Sequence, residues 1–274
     1  MTTSQISTTF SLNLGKLSII SVLFPIFALL FSVIYSIIFD FDRVIQSPES
    51  PCPNTTIDYL PSITACFSKF YPQTWVWWIC MAFPLWPRII LPRLFFNFHT
   101  SKQFLSSSSL NSKLQSTLAI ISYYGDVVDV ISLALISYVV DLKPPEDDST
   151  VENKTIILIH AASFGMFVVS SQFYILCTTV LHSSVDFYPN KFKKQCLCVS
   201  YIGLCIGATI FFFYKQLHPC QDMLQTYFAI FEYALCAVNL TFHLISALDF
   251  GDYEMRFLSE DRDPELKKLR SEFL

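Results

Sequence analysis

Six ionisable or amide side chains stand in stretches otherwise apolar enough to exclude them: Arg88, Asp126, Asp129, Glu232, Asn239 and His243. At the helical angle of about 100° per residue, Glu232, Asn239 and His243 fall at about 0°, 340° and 20°, one stripe roughly 16 Å long. Asp126 and Asp129 are three residues apart, neighbours on a helix face. Arg88 reaches a comparable depth from another apolar stretch. A charged group at a bilayer centre costs roughly 2.5–3.5 kcal/mol, so such groups turn toward a partner or a wet cavity. Two chemistries fit. Arg88 pairs with Asp126 or Asp129, and the stripe hydrogen-bonds neighbouring helices to fix their packing. Alternatively, a polar cavity at mid-depth takes an anionic lipid headgroup, with Arg88 on phosphate and a carboxylate or His243 moving protons. His160 is expected to have a satisfied packing role. No G-x-S-x-G elbow, H-x-x-x-x-D box, P-loop or metalloprotease motif occurs, which excludes the standard soluble-enzyme mechanisms.

The elements that must position these groups follow from composition. The 274 residues are 53% hydrophobic and 16% aromatic against 15% charged, outside the mixture of water-soluble domains. A net charge of −4 without a long basic run argues against nucleic acid as a partner. Nine cysteines with no C-x-x-C pair or zinc-spaced Cys/His cluster give no expectation of a metal. A hydrocarbon core about 30 Å thick needs roughly 20 apolar helical residues. Runs of that kind occur at 17–39, 73–97, 116–140, 155–181, 195–214 and 222–248. The fold expected is an all-α bundle of about six transmembrane helices, the first a retained signal anchor. Pro84, Pro87 and Pro92 predict a kinked second span, because neighbouring helices can satisfy the freed backbone groups.

Loop charge gives the orientation. Lys102 and Lys113 follow the second span, and Lys191, Lys193 and Lys194 follow the fourth. This places those loops, the segment 1–16 and the tail 249–274 in the cytosol. Loops 40–72, 141–154 and 215–221 are then lumenal. Two acceptor sequons, at Asn54 and Asn153, fall on that side, the second close against the fourth span. Among the lumenal Cys52, Cys66 and Cys220 a bridge is permitted. The pairing expected is Cys52 with Cys220, three free thiols being the alternative. Cys196 and Cys198 are either palmitoylated or ordinary lipid-facing thiols. Trp75-Val-Trp-Trp78 reads as an interfacial belt, and Ser106 to Ser109 as a flexible loop. The tail reads as solvated or as a short amphipathic helix. No inverted repeat points to a transporter.

Several short motifs run in one collinear order: Tyr59-Leu-Pro-Ser62, Trp75-Val-Trp, Pro87-Arg88, Asn97, Asp126-Val-Val-Asp129, Glu152-Asn153 and Gly165. They continue through Thr226, Phe228-Ala-Ile-Phe-Glu-Tyr233, Asn239, Phe242-His243 and Asp249-Phe250-Gly251. In these, over residues 17–252, the chain resembles the post-GPI-attachment-to-proteins factor two family, and Cys52 and Cys220 fall at family cysteines. The resemblance implies a Golgi or endoplasmic-reticulum protein in lipid remodelling of GPI anchors. The step implied is reacylation of a lyso-GPI intermediate with a saturated chain, supporting surface expression of GPI-anchored proteins. It implies membrane lipids and GPI-anchored proteins as partners, an acyl-CoA or phospholipid as acyl donor, and no bound cofactor. His243, Glu232 and Asp129 become the catalytic candidates, Arg88 and Asn239 the headgroup-binding ones. Relatives carry histidines where this chain has Pro84 and Met166, and a glutamate at Asp129. If either histidine were the base, this chain would be inactive. The wider Frag and DRAM relatives suggest a second class of function, a non-enzymatic scaffold or lipid-binding factor.

Overall fold

The computed structural model describes residues 8–45, 58–67, 70–139, 150–186, 188–218, 221–251 and 253–258. Six helices among them are long and apolar enough to cross a membrane, so the chain is a multi-pass membrane protein. In chain order these are α1 (Leu14–Phe39), the pair α4 (Gln73–Ala82) and α5 (Leu85–His99), α7 (Ser112–Val139), α8 (Thr150–Ser183), α9 (Lys191–Leu217) and α10 (Leu224–Asp249). Short helices α2 (Phe41–Ile45), α3 (Ile63–Phe67) and α6 (Lys102–Ser107) lie between them. Strands β1 (Thr8–Asn13) and β2 (Glu254–Leu258) flank the bundle. The outward face of α9 carries Val199, Ile206, Ile210 and Phe213, all more than half exposed, as a helix solvated by lipid requires.

The proline-rich second span bends but continues. Phe83 and Pro84, between α4 and α5, keep right-handed helical backbone, and Arg88 N–H bonds to Pro84 O at 3.0 Å. The kink therefore leaves Arg88 on the inner face of α5, buried to 6% exposure, while Arg93 turns outward over the Phe96 ring.

Over Glu254–Leu258, the part of the tail that the structure describes beyond Tyr253, strand β2 stands where the mixed charges predict a solvated or helical segment. It pairs antiparallel with β1, Leu12 opposite Met255 and Asn13 opposite Glu254. Both strands thus lie at one end of the bundle, here the terminal face. Asn13 caps α1, accepting from Lys16 N–H at 2.8 Å, and donates from Nδ2 to Gly251 O at 2.8 Å. Gly15 and Gly251 permit the close approach: a Cβ on Gly15 would stand 2.6 Å from Gly251 Cα. Because backbone blocks it, Gly15→Ala is expected to destabilise the protein by about 1–3 kcal/mol. Thermal unfolding in detergent, followed by circular dichroism, measures this.

At the opposite, far face, residues 58–67 are stitched to α10. Asp58 Oδ1 accepts from Thr226 N–H at 3.0 Å and from its hydroxyl at 3.1 Å, while Tyr59 N–H donates to Thr226 Oγ1 at 2.8 Å. The Tyr233 hydroxyl donates to Pro61 O at 3.2 Å, and the Ser36 hydroxyl to Cys66 O at 3.0 Å. Burial pushes the Cys66 thiol up to about 11, so it stays protonated. Loss of both Thr226 bonds in Asp58→Ala is expected to cost about 1–3 kcal/mol, read as a lower melting temperature. Cys52, Cys220 and Asn54 lie outside the described residues. Asn153 lies on the first turn of α8.

Other local expectations change. Ser106 and Ser107 belong to α6, Ser108 forms a bridge with Val185, and Ser109 N–H bonds to Ser184 O, so this run is ordered. Of Trp75, Trp77 and Trp78 only Trp75 is exposed. Trp77 stacks on Phe67 at 4.0 Å, and Trp78 Nε1 donates to Ser137 O of α7 at 3.2 Å. Cys198 is buried in the α8–α9–α10 core, whereas Cys196 is exposed. Lys194 is not a solvated loop charge; its side chain is 0% exposed.

Candidate functional site

The mid-depth site depends first on how closely α7 meets α8. A Cβ on Gly125 would lie 3.1 Å from Tyr174 N and 3.2 Å from Ser170 O, so only glycine lets the two backbones touch comfortably here. Ser122 and Thr178 hydroxyls bond across the same seam at 2.8 Å. This contact carries Asp126 and Asp129, 5% and 0% exposed, into the bundle. The Ser171 hydroxyl donates to Asp129 Oδ1, and Asn239 Nδ2 donates to Ser171 Oγ at 3.1 Å. Asp129 is thereby oriented through α8 by α10. His243, one turn beyond Asn239, stacks on Tyr174 at 5.0 Å between ring centroids, with planes 12° apart.

Ligating atoms of Asp126, Asp129 and His243 all lie within 4.8 Å of one another. Among the described residues, Asp129 Oδ2 and His243 Nε2 are buried without a hydrogen-bond partner. Arg88 is within electrostatic reach of all three, yet makes no ion pair within 4.0 Å among the described residues, and its Nη2 is also unpartnered. The simple ion pair expected between Arg88 and an aspartate is therefore not what holds these helices. Instead Arg88 lines a narrow, largely apolar crevice between the second span and α7, with Met81, Pro84, Leu85, Val130 and Leu133. An unpartnered guanidinium on the wall of an apolar crevice is placed to meet an anionic group.

Glu232 stands apart from this centre. It lies on the same inward stripe, 8% exposed, but its Oε2 accepts from Ile63 N–H at 3.3 Å and so anchors the far-face loop. His160 Nε2 meets Thr64 Oγ1 at 3.4 Å, consistent with packing. Met166 is 48% exposed on the outer side of α8, so a histidine there would face lipid. Pro84, by contrast, lines the crevice beside Arg88.

Of a second polar cluster near the terminal face, only Asp249 stands in a sequence motif. Lys194 Nζ lies 2.5 Å from Asp249 Oδ2, with both side chains 0% exposed. The lysine also meets His182 Nδ1 at 2.8 Å, and His182 Nε2 meets His99 Nε2 at 2.9 Å. With the ammonium donating to Nδ1, His182 is left with an Nε2 proton to give to His99. Asn190 Nδ2 donates to Asp249 Oδ1 at 2.8 Å, and Tyr188 stacks on His182 at 3.9 Å. Burial, and Asp249 nearby, push the Tyr188 hydroxyl well above its usual range, so it remains protonated. The row ties α5, α8, α9 and α10 together.

The family model described as Frag1/DRAM/Sfk1/Cwh43P N-terminal domain matches residues 13–253, which contain both clusters. The chain is 25% identical over 252 residues to the Drosophila melanogaster protein named Post-GPI attachment to proteins factor 2, covering 89% of this chain and 88% of that one. It is 23% identical over 257 residues to a Xenopus tropicalis protein named Acyltransferase PGAP2, covering 91% and 92%. A Caenorhabditis elegans protein named Post-GPI attachment to proteins factor 2 is 25% identical over 232 residues, covering 82% and 81%. No solved structure matches the chain.

Proposed function

Because the chain belongs to the Frag1/DRAM/Sfk1/Cwh43P N-terminal domain family, we propose that it acts in GPI-anchor maturation, returning a saturated acyl chain to a lyso-GPI intermediate. The observation that carries this reading is the convergence of Arg88, Asp126, Asp129 and His243 on one buried centre beside an apolar crevice. The names of its relatives support the substrate class.

In this reading the crevice takes the acyl chain and Arg88 faces phosphate or the developing oxyanion. The lyso-lipid hydroxyl attacks the carbonyl carbon of a thioester or phospholipid ester. A new ester C–O bond forms as the donor C–S or C–O bond breaks. His243 Nε2, unpartnered and oriented by its stack on Tyr174, takes the hydroxyl proton and returns it to the leaving thiolate or alkoxide. Asp129 holds the imidazolium in register from across the centre. Glu232 keeps a supporting part, holding the far-face loop over the bundle. Lys102, Lys113, Lys191 and Lys193 favour a cytosolic terminal face in Golgi or endoplasmic-reticulum membranes.

The test is the lipid composition of surface GPI anchors, by mass spectrometry, in cells with and without this protein. Saturated chains should disappear on deletion, lyso or unremodelled anchors should accumulate, and re-expression should reverse both. Unchanged anchors would refute the reading.

A second reading, a non-enzymatic lipid-binding scaffold, draws on the Ser171–Asn239 bonds that already employ Asp129 in packing. Asp129→Asn, which keeps an oxygen for Ser171 and loses the charge, separates the two: intact folding with intact remodelling favours packing, and a stable but inactive variant favours substrate contact.

A further inference from the structure

We propose that Asp126, Asp129 and His243 hold a divalent cation, zinc, at mid-depth in the bundle. Two carboxylates and an imidazole present ligating atoms within 4.8 Å of one another. Two donors on one zinc are at most about 4.2 Å apart, given bonds of about 2.0–2.2 Å. Rotamer changes of under about an ångström therefore close the set.

The unpartnered atoms point the same way. Asp129 Oδ1 accepts from the Ser171 hydroxyl, leaving Oδ2 buried with no donor among the described residues, and His243 Nε2 is buried without a partner as well. A buried acceptor without a donor is costly, and two of them on residues of one cluster call for a shared electrophile. The surrounding contacts resemble the outer shell that orients metal ligands: Ser171 and Asn239 fix the carboxylate, and Tyr174 fixes the imidazole plane. Charge also balances. A dication with Arg88 against two aspartates leaves one net positive charge, matching a single phosphate or oxyanion in the crevice. A mixed nitrogen and oxygen donor set suits zinc better than magnesium or calcium, which take oxygen ligands. The three residues lie on two helices far apart in sequence, so a search for local zinc spacing passes over them.

The ion's presence is independent of the acyl-transfer reading; what it would act on rests on that reading. A hydroxyl bound to zinc is acidified by the metal itself, so the ion would assume the part given above to His243, which becomes a ligand.

The experiment is elemental analysis of the full chain, purified in detergent, freed of any affinity tag and dialysed against metal-free buffer. Wild type should carry about one zinc per chain. Asp129→Asn and His243→Gln should carry at least about tenfold less, while the exposed His218→Ala should retain it. Wild type without zinc, whose melting temperature does not rise on adding zinc, overturns the site; so does full occupancy in both variants. If either variant fails to fold, wild type stripped with a chelator serves instead: reloading to about one zinc with a rise in melting temperature upholds the site, and failure to reload refutes it. A zinc-loaded protein in cells whose anchors are unaffected by its deletion would remove only the acyl-transfer reading. Zinc-free protein that remodels anchors would remove only the metal.

Discussion

Cells relying on Asp129→Asn or His243→Gln in place of the wild-type chain should display surface GPI anchors without their saturated chain, at near-normal levels of the variant protein. The two halves of this expectation have separate physical causes. Asparagine keeps the shape of Asp129 and an oxygen able to accept from Ser171, so the α7–α8–α10 contact survives. What it loses is charge at the position facing Asp126 and His243. Glutamine at 243 likewise keeps a polar group on α10 but cannot shuttle a proton or take the imidazole's place as a ligand. Loss of positioned proton transfer costs typically 10²–10⁴-fold in rate, so anchor remodelling should fall by at least about 100-fold. Mass spectrometry of anchors, paired with quantitative blotting of the variant, reads both halves. Normal anchors from both variants at normal abundance would take these residues out of the chemistry.

The second large effect is on stability. Lys194→Met strands the Asp249 carboxylate in a site where both side chains are 0% exposed and deprives His182 of its donor. Removing one member of a buried ion pair costs about 3–5 kcal/mol, because the remaining charge has no solvent to return to. The variant should be retained and degraded, and purified material should melt at a distinctly lower temperature. Asp249→Leu alone should be as damaging. The double variant Lys194→Met, Asp249→Leu should recover most of the loss, since two apolar groups of similar volume need no compensation. A double variant no more stable than either single one would show that the pair does more than neutralise itself, through Asn190 and His182.

The two clusters were unequally legible in the sequence. Spans could be read because hydrocarbon leaves few options: an uncharged run of the right length must be helical, and the ends of α1, α7, α9 and α10 fall within a few residues of the apolar runs. The inward turn of Glu232 and Asn239 followed from helical periodicity. Pairing across helices did not, because period says which face is polar but not which other helix lies opposite. So Asp129 could be placed near Arg88, but not its bond to Ser171, a residue with no mark among the other serines of α8. Lys194 is hidden for a related reason. Beside Lys191 and Lys193 it looks like one more loop charge, and only the fold shows that α9 begins early enough to bring it against His182 and Asp249. The terminal strands carried no alternation strong enough to stand out from an ordinary charged tail.

The antiparallel ladder between β1 and β2 bears on how a lipid reaches the centre. It fastens the first and last spans like a clasp on a hoop, reinforced by Leu14 N–H bonding to Tyr253 O at 2.8 Å and by the Asn13 to Gly251 bond. A hoop closed there cannot part between α1 and α10 without first unzipping that clasp. Between α5 and α7 no such ladder joins the two helices among the described residues, and there Arg88 lines the crevice.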